Sequence, residues 1–444
     1  MIKHLPEFLL VIITLSLSFI LVCLLMKFRT MGLFLIGCVV IWYAIMDTAP
    51  ISLSIAGISI YPMDFISGLL MVTGTLGFVS NKRRIHTPHI SFFLCIIVML
   101  IMLLIGINRY GLEKAINSAR VYIYFYSIAF YVLSLDLNKY SFVSFLRVWA
   151  WISIILVSIF SVRLVLVLLG IMSSISWQSV GGENLRVLSA GNSLFMFQGL
   201  ILAWFSRVYS WKMPFKKFLS VVLLPIIFFL QHRTVWVVAI VSLALLFLTE
   251  KKIKSMFFSK VFQTFVLLSI VALVLVGGSL VSSLRESSSN SNTWLWRLES
   301  WRSLLGMFVS SSIFSQVFGH PFGIGYFRDL FDITTTVQPH NFYVQNLWDF
   351  GITGLLLFLC SYGLLLNNLR KTIPDKHINK LLFVLIIGQL LFFITYAPYF
   401  EQGIVIGIAF NVIGHAKSWQ NVEKPKSLDF PQPVILNTPS PRPY

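Results

Sequence analysis

Apolar runs of roughly span length, separated by short polar breaks, recur from one end of the chain to the other. They constrain the fold more than anything else in the sequence. Thirteen candidate helical spans can be drawn: Phe8–Met26, Met31–Met46, Phe65–Ser80, His89–Gly106, Val121–Leu135, Ser141–Met172, Asn192–Phe205, Phe218–Leu230, Thr234–Leu248, Val261–Val281, Gly351–Leu369, Leu381–Tyr396 and Gly403–Gly414. Several are shorter than the ~20 residues that cross ~30 Å of hydrocarbon, so the expected count is 12 or 13. Composition agrees: 57% of the residues are hydrophobic, 11% are charged, and mean hydropathy is +0.85. A soluble domain carries about 25% charged residues, so an ordinary soluble surface is excluded. The expected fold class is an all-α polytopic membrane protein with a large outward segment containing amphipathic helices.

The net charge of +18 would suggest nucleic acid in a soluble protein. Here the basic residues sit mostly in alternate short breaks: Lys27/Arg29, Lys82–Arg84, Lys139, Arg207–Lys217, Lys251–Lys254, Arg370–Lys376 and Lys417–Lys426. The other breaks carry Asp47, Asp64, Glu113, Glu183, Glu286, Glu299, Asp329, Asp332, Asp349 and Glu401. By the positive-inside rule the first set is cytoplasmic and the second faces outward. The N-terminus lies outside if all thirteen runs cross, and inside if one early run does not. The first run lacks a small-residue cleavage site and reads as a retained span. The expected organisation is a transmembrane bundle over 1–172, an outward loop over 173–191 and central helices over 192–281. A large outward loop over 282–349, C-terminal helices over 350–416 and a Pro-rich disordered cytoplasmic tail over 417–444 follow. The four cysteines each sit inside an apolar run, which reads as buried thiols without metal-ligand spacing.

Outward positions carry the candidate chemistry. Arg233, in Gln231-His232-Arg233-Thr234, is squeezed between two apolar runs. A charge facing lipid there costs on the order of 2.5–3.5 kcal/mol. It either snorkels to the headgroups or binds phosphate with its guanidinium fork. Arg186 in the 173–191 loop is an ordinary loop charge unless it meets Arg233 in space. Trp294, Leu298, Trp301, Leu305 and Phe308 recur at spacings of three and four, an apolar stripe with Arg297 and Arg302 off it. Such a helix lies on the membrane surface, caps a cavity, or packs on the bundle. Gly319–Tyr326 reads as a turn, since its glycine spacing is wrong for a dinucleotide fingerprint. His340, after Pro339, stands where outward loop becomes membrane helix. It reads as an interfacial hydrogen-bonding group or as a general base. No P-loop, HExxH or paired-carboxylate motif occurs, and the scattered histidines lack metal-ligand spacing.

His340-Asn341, nine residues, Gly351, two residues, Gly354 resembles the signature of bacterial O-antigen ligases and related polysaccharide polymerases. Arg233 in His-Arg-Thr-Val-Trp, Arg186 ahead of Gly191-Asn192, and the helix with Arg297 and Arg302 ahead of Gly323-Ile324-Gly325 are similar to that family too. The similarity covers roughly Arg186 to Leu369.

The resemblance implies a glycosyltransferase of the bacterial inner membrane. It would take a saccharide from undecaprenyl pyrophosphate to a sugar hydroxyl at the periplasmic face. The acceptor would be lipid A-core, lipopolysaccharide biosynthesis by ligation, or another lipid-linked repeat, O-antigen or exopolysaccharide polymerisation. No metal or other cofactor is expected. His340, Arg186 and Arg233 would be catalytic, with Asn341, Arg297, Arg302 and Arg120 in substrate binding. Competing readings are a polysaccharide transporter or flippase, motivated by the span count and by Arg147 and Arg163 inside one long run, and a noncatalytic assembly protein of the cell envelope.

Overall fold

The structure is a computed structural model. It describes residues 5–28, 31–46, 52–55, 58–80, 85–135, 139–171, 187–257, 263, 292–331, 333–372 and 376–415. The Val261–Val281 run, Glu183, Arg186 and the Pro-rich tail therefore lie outside the described residues, apart from residue 263 of the run.

The fold is all-α apart from two short hairpins. The chain runs through α1 (Leu5–Lys27), α2 (Met31–Met46), a hairpin of β1 (Leu53–Ile55) and β2 (Ile58–Ile60), α3 (Pro62–Ser80), α4 (Thr87–Tyr110), α5 (Leu112–Ser134) and α6 (Lys139–Leu168). After the 172–186 break come α7 (Ala190–Val208), α8 (Lys216–Phe229), α9 (Arg233–Thr249) and the short α10 (Lys251–Phe257). The last third holds α11 (Asn292–Ser310), α12 (Ile313–Phe318), a hairpin of β3 (Arg328–Leu330) and β4 (Ile333–Thr335), α13 (Phe342–Thr372), α14 (Lys376–Phe392), a 3-10 turn over Phe400–Gln402 and α15 (Gly403–Gly414). Both hairpins are antiparallel.

The expected apolar runs are helical throughout most of their described length. Among the described residues, α3, α4, most of α6 and α13 are each long and apolar enough to cross a membrane. A fifth span results if α1 and α2 are one bent crossing. The other runs are shorter helices or carry a more polar stretch, which is why the count of 12 or 13 exceeds the helices that qualify on length and composition alone. Apolar side chains cover the outer faces: Val79 is 76% exposed, Leu104 67% and Ile240 67%. Water would penalise such a surface at ~25 cal/mol per Å², whereas lipid does not.

The interior is built around α5 and α7. From Ala190 to Ser206 every side chain of α7 is buried, the mark of a helix apolar on all faces and surrounded by others. Helix α15 crosses α5 on Gly403 and Gly407, spaced as a GxxxG pair. A methyl at either glycine would press on the α5 backbone near Phe125 and Ala129. Asn411 of α15 donates to the carbonyls of Val132 (3.1 Å) and Leu133 (2.9 Å), closing the C-terminal end of α5.

Arg163, inside the long α6 run, donates to the carbonyls of Val187 (2.9 Å) and Ile45 (2.6 Å). A buried guanidinium spent on loop carbonyls is a structural tie. It removes one motive for reading this arginine as part of a transport path.

The two ends of the bundle differ. At one end Glu250 receives Lys380 (2.8 Å), His377 (3.6 Å) and the Tyr209 hydroxyl. Burial pushes the Glu250 carboxyl up, but the hydrogen bonds from Lys380 and Tyr209 and the charges of Lys380 and His377 outweigh it. Its pKa therefore lies below the usual carboxylate value. The opposite end carries α11, the second hairpin and His340.

Candidate functional site

The site is assembled by three segments that meet at the start of α13. The first is α11. The apolar stripe is largely open, with Trp294, Leu298 and Leu305 all exposed. The face that packs is Ser300, Leu304 and Phe308, at strict i, i+4 spacing. Leu304 and Phe308 form a small separate core with Tyr326 and Trp348. The open apolar face fits the reading of a surface-lying or cavity-capping helix better than that of a helix buried in the bundle.

The second segment is the approach to α13. Trp301 donates its indole N–H to the Pro339 carbonyl at 2.7 Å. His340 follows with φ 52°, left-handed backbone that is uncommon for a residue with a Cβ. Asn341 then stops the turn. Its Oδ1 accepts from the backbone N–H groups of Tyr343 (3.0 Å) and Val344 (3.0 Å), an N-cap on α13. The Phe342 N–H donates to the Phe393 carbonyl at 2.9 Å, docking this start on the end of α14. The imidazole is thus presented from a fixed, strained turn.

The third segment is the strap after α14. Tyr396 lies 6.4 Å from the His340 ring, while Trp296 of α11 lies 6.3 Å from it on another side. The Arg297 guanidinium sits 5.1 Å from the centre of the Tyr396 ring. Arg328, at the start of β3, is 3% exposed and faces the Trp296 ring at 6.0 Å. It donates to Ser300 Oγ (2.8 Å) and to the Tyr326 carbonyl (2.7 Å). One terminal nitrogen, Nη2, has no hydrogen-bond partner among the described residues.

These cations and the burial act on His340. Its pKa is pushed down to about 4, first by burial and then by the charges of Arg297 and Arg328. The imidazole is therefore neutral at neutral pH, the state that can accept a proton. Arg328 is lowered by burial to about 10 and stays charged.

Arg233 opens α9 beside this strap. Thr234 shares a hydroxyl–hydroxyl hydrogen bond of 2.6 Å with Thr395, the neighbour of Tyr396. His232 bonds the Leu188 carbonyl at 2.9 Å, and Leu188 is two residues after Arg186 in sequence. Arg233 itself is half-buried.

The sequence candidates therefore divide. His340, Asn341 and Arg297 come together, and Arg233 stands at the edge of the same strap. Asn341 spends its carbonyl oxygen on the helix cap, a structural duty. Arg302 is exposed on α11. Arg120 is committed elsewhere: its Nε and Nη2 grip the Asp64 carboxylate at 3.0 and 2.9 Å, and its guanidinium lies over the Tyr61 ring. That fork-on-fork pair ties α5 to the start of α3. Arg328, Tyr396 and Trp296 escaped the sequence reading. Arg328 stands beside Asp329 between aromatic and aliphatic residues and carries no motif, and only the hairpin turns it inward.

Gly351 and Gly354 also find their reason. Gly351 adopts φ 66°, ψ −168° inside α13, a conformation essentially reserved for glycine, and bends the helix there. A methyl at Gly351 would strike the Val317 carbonyl at the end of α12. His320, just beyond α12, adds a backbone hydrogen bond to the Trp348 carbonyl (2.9 Å). Asp349, two residues before the bend, accepts from the hydroxyls of Tyr122 and Tyr326, both at 2.8 Å. The bend is thus locked to α5 and to the loop before β3.

Residues 218–359 match the family described as O-antigen ligase. The matched segment runs from α8 to the first half of α13 and carries Arg233, Arg297, Arg328, His340, Gly351 and Gly354. This central third of the chain is thus similar to the O-antigen ligase family, and it is set in a multi-pass membrane protein. A search of curated proteins returned no match.

Proposed function

We propose that the protein is a membrane glycosyltransferase that moves a saccharide from undecaprenyl pyrophosphate to a sugar hydroxyl at the periplasmic face of the inner membrane. The observation that carries this reading is a neutral, buried histidine held in a strained turn with guanidiniums on two sides, inside the segment that matches O-antigen ligases.

In this reading the acceptor hydroxyl oxygen attacks C1 of the donor sugar as His340 takes its proton. The C1–O bond to the pyrophosphate breaks, and its electron pair stays on the departing pyrophosphate. A single displacement inverts the anomeric centre. The leaving group gains negative charge as the bond breaks, and fixed guanidiniums stabilise that charge without reorganising. Arg233 and Arg186 are assigned that role, with Arg297 as a helper that also positions Tyr396 beside the imidazole. The low pKa of His340 suits this cycle. An arriving pyrophosphate offsets the arginine charges and raises the basicity of the imidazole when a base is needed. The exposed apolar face of α11 lies where a polyprenyl chain or the glycolipid acceptor would approach.

His340→Ala and Arg233→Ala strains test this on a glycan gel with protein levels checked by immunoblot. Loss of long-chain glycan with the protein still present in the membrane supports the reading; unchanged glycan contradicts it. Lipid-linked polymer accumulating in the mutant identifies a ligase. Single repeat units left on the lipid A-core identify a polymerase.

A further inference from the structure

Behind the His340 strap lies a separate cavity of about 240 Å³, between the end of α2, the middle of α5, the start of α7 and the segment Pro398–Glu401. We propose that it is a sugar-binding subsite for the glycan part of a substrate, with Glu401 and Asn192 as its hydrogen-bonding groups. The inference rests on the glycan-transfer reading above and extends it to a place that reading does not use.

Glu401 is 2% exposed; its carboxyl accepts from its own backbone N–H, and burial raises its pKa to about 7. Asn192 is 5% exposed and also lines the cavity. One backbone hydrogen bond leaves most of the acceptor capacity of a buried carboxyl unused, and a ligand or ordered water that donates to it would offset the cost of burial. Space for the carboxylate is kept by Gly191, where a methyl would collide with the Glu401 oxygen and the Tyr399 ring. The walls are aromatic: Tyr43, Tyr124, Tyr399 and Phe400. The Tyr124 hydroxyl is held by Asp64 at 2.6 Å, and the Tyr43 and Phe400 rings lie 5.5 Å apart, so the rings are set in place.

Charge selects the ligand class. Among the described residues no Lys or Arg lines the cavity, so phosphate and pyrophosphate would find no positive partner there. Asp64, which holds the Tyr124 hydroxyl from outside the lining, is already paired with Arg120, and Glu401 alone offers too few oxygens to cage a divalent cation. A neutral polyol satisfies all the walls at once. Adjacent hydroxyls donate to the carboxylate, the amide serves a further hydroxyl, and the apolar C–H face of the ring lies on the aromatic side chains.

The position suits a substrate that reaches His340. Tyr399 packs on Phe392, Phe392 stacks on Tyr396 at 4.9 Å, and Tyr396 faces His340. Glu401 is five positions beyond Tyr396 in sequence, so their Cα atoms lie at most about 18 Å apart. One oligosaccharide can therefore occupy the cavity with one sugar while another meets the imidazole.

The test uses the full-length protein in nanodiscs with free hexoses and N-acetylhexosamines as probes, read by saturation-transfer NMR. Wild type should give a saturable signal with at least one probe. Glu401→Gln and Asn192→Ala should weaken it by roughly tenfold or more, given the worth of a hydrogen bond to a charged group. His340→Ala should keep it. In turnover, Glu401→Gln should raise KM for one glycolipid more than it lowers kcat; a rise confined to the donor or to the acceptor says which glycan sits there. No saturable signal in wild type, or an unchanged signal in both Glu401→Gln and Asn192→Ala, overturns the subsite. Transfer surviving in His340→Ala overturns the transferase chemistry instead, and leaves the binding result to be read on its own.

Discussion

His340 combines three properties that rarely coincide. It has left-handed backbone, it is largely shielded, and two arginines stand near its ring. The arginines make a pH prediction. Removing the Arg297 charge by Arg297→Gln removes a disfavouring neighbour of the imidazolium, so the pKa of His340 rises. The acidic limb of the kcat/KM profile, which reports the free enzyme, should then move to higher pH. A limb that stays in place or moves to lower pH would show that Arg297 does not act on the base. The same linkage bears on stability. Because the folded pKa of about 4 lies below that of an exposed histidine, the unfolded chain binds the proton more readily. His340 therefore lowers stability as pH falls from about 6.5 towards 4.

At the scale of elements, the bend in α13 is what aims the site. Gly351 combines a conformation closed to other residues with close approach to the α12 carbonyl, so Gly351→Ala should cost about 1–3 kcal/mol or more. A lower melting temperature in detergent, with transfer reduced in proportion to folded protein, is the expected result. Full stability in that variant would mean that the bend relaxes freely. A second element-level prediction concerns the opposite end. The Glu250 carboxyl is held below its usual pKa, so its contribution is complete above that usual value and is lost as pH falls through the lowered one. Lys380→Met should remove most of that acid sensitivity while lowering stability at neutral pH, measurable as melting temperature against pH. An unchanged pH profile would refute the role of the Glu250–Lys380 pair.

For the whole molecule, the architecture was legible where it depends on local pattern. Apolar runs became helices because burying or lipidating their side chains requires the backbone to satisfy its own hydrogen bonds. The spacing from His340 to Gly351 and Gly354 was legible because a positive-φ bend leaves a glycine wherever it occurs. What escaped depends on contacts between distant segments. Arg328 looked like a loop charge until the hairpin turned it against Ser300. Glu401 looked like one more outward acid until Gly191 of α7 made room for it. Arg120 looked available for substrate until Asp64, 56 residues earlier, was seen to hold it. The placement of α11 stayed open for a related reason. A period of three and four marks two neighbouring stripes on a helix rich in apolar residues, and only packing on Tyr326 and Trp348 decides between them.

The central claim is that His340 is the base for glycosyl transfer on a lipid-linked donor. Purified wild-type protein and His340→Ala, each in nanodiscs, would be incubated with the undecaprenyl-pyrophosphate-linked glycan and its acceptor glycolipid, and the product followed by mass spectrometry. The account predicts a new glycoside of inverted configuration together with free undecaprenyl pyrophosphate from wild type. From His340→Ala it predicts a rate lower by at least 100-fold, on the order of what a general base contributes. Product formed at the wild-type rate by His340→Ala, or unmodified donor recovered from wild type, would contradict it.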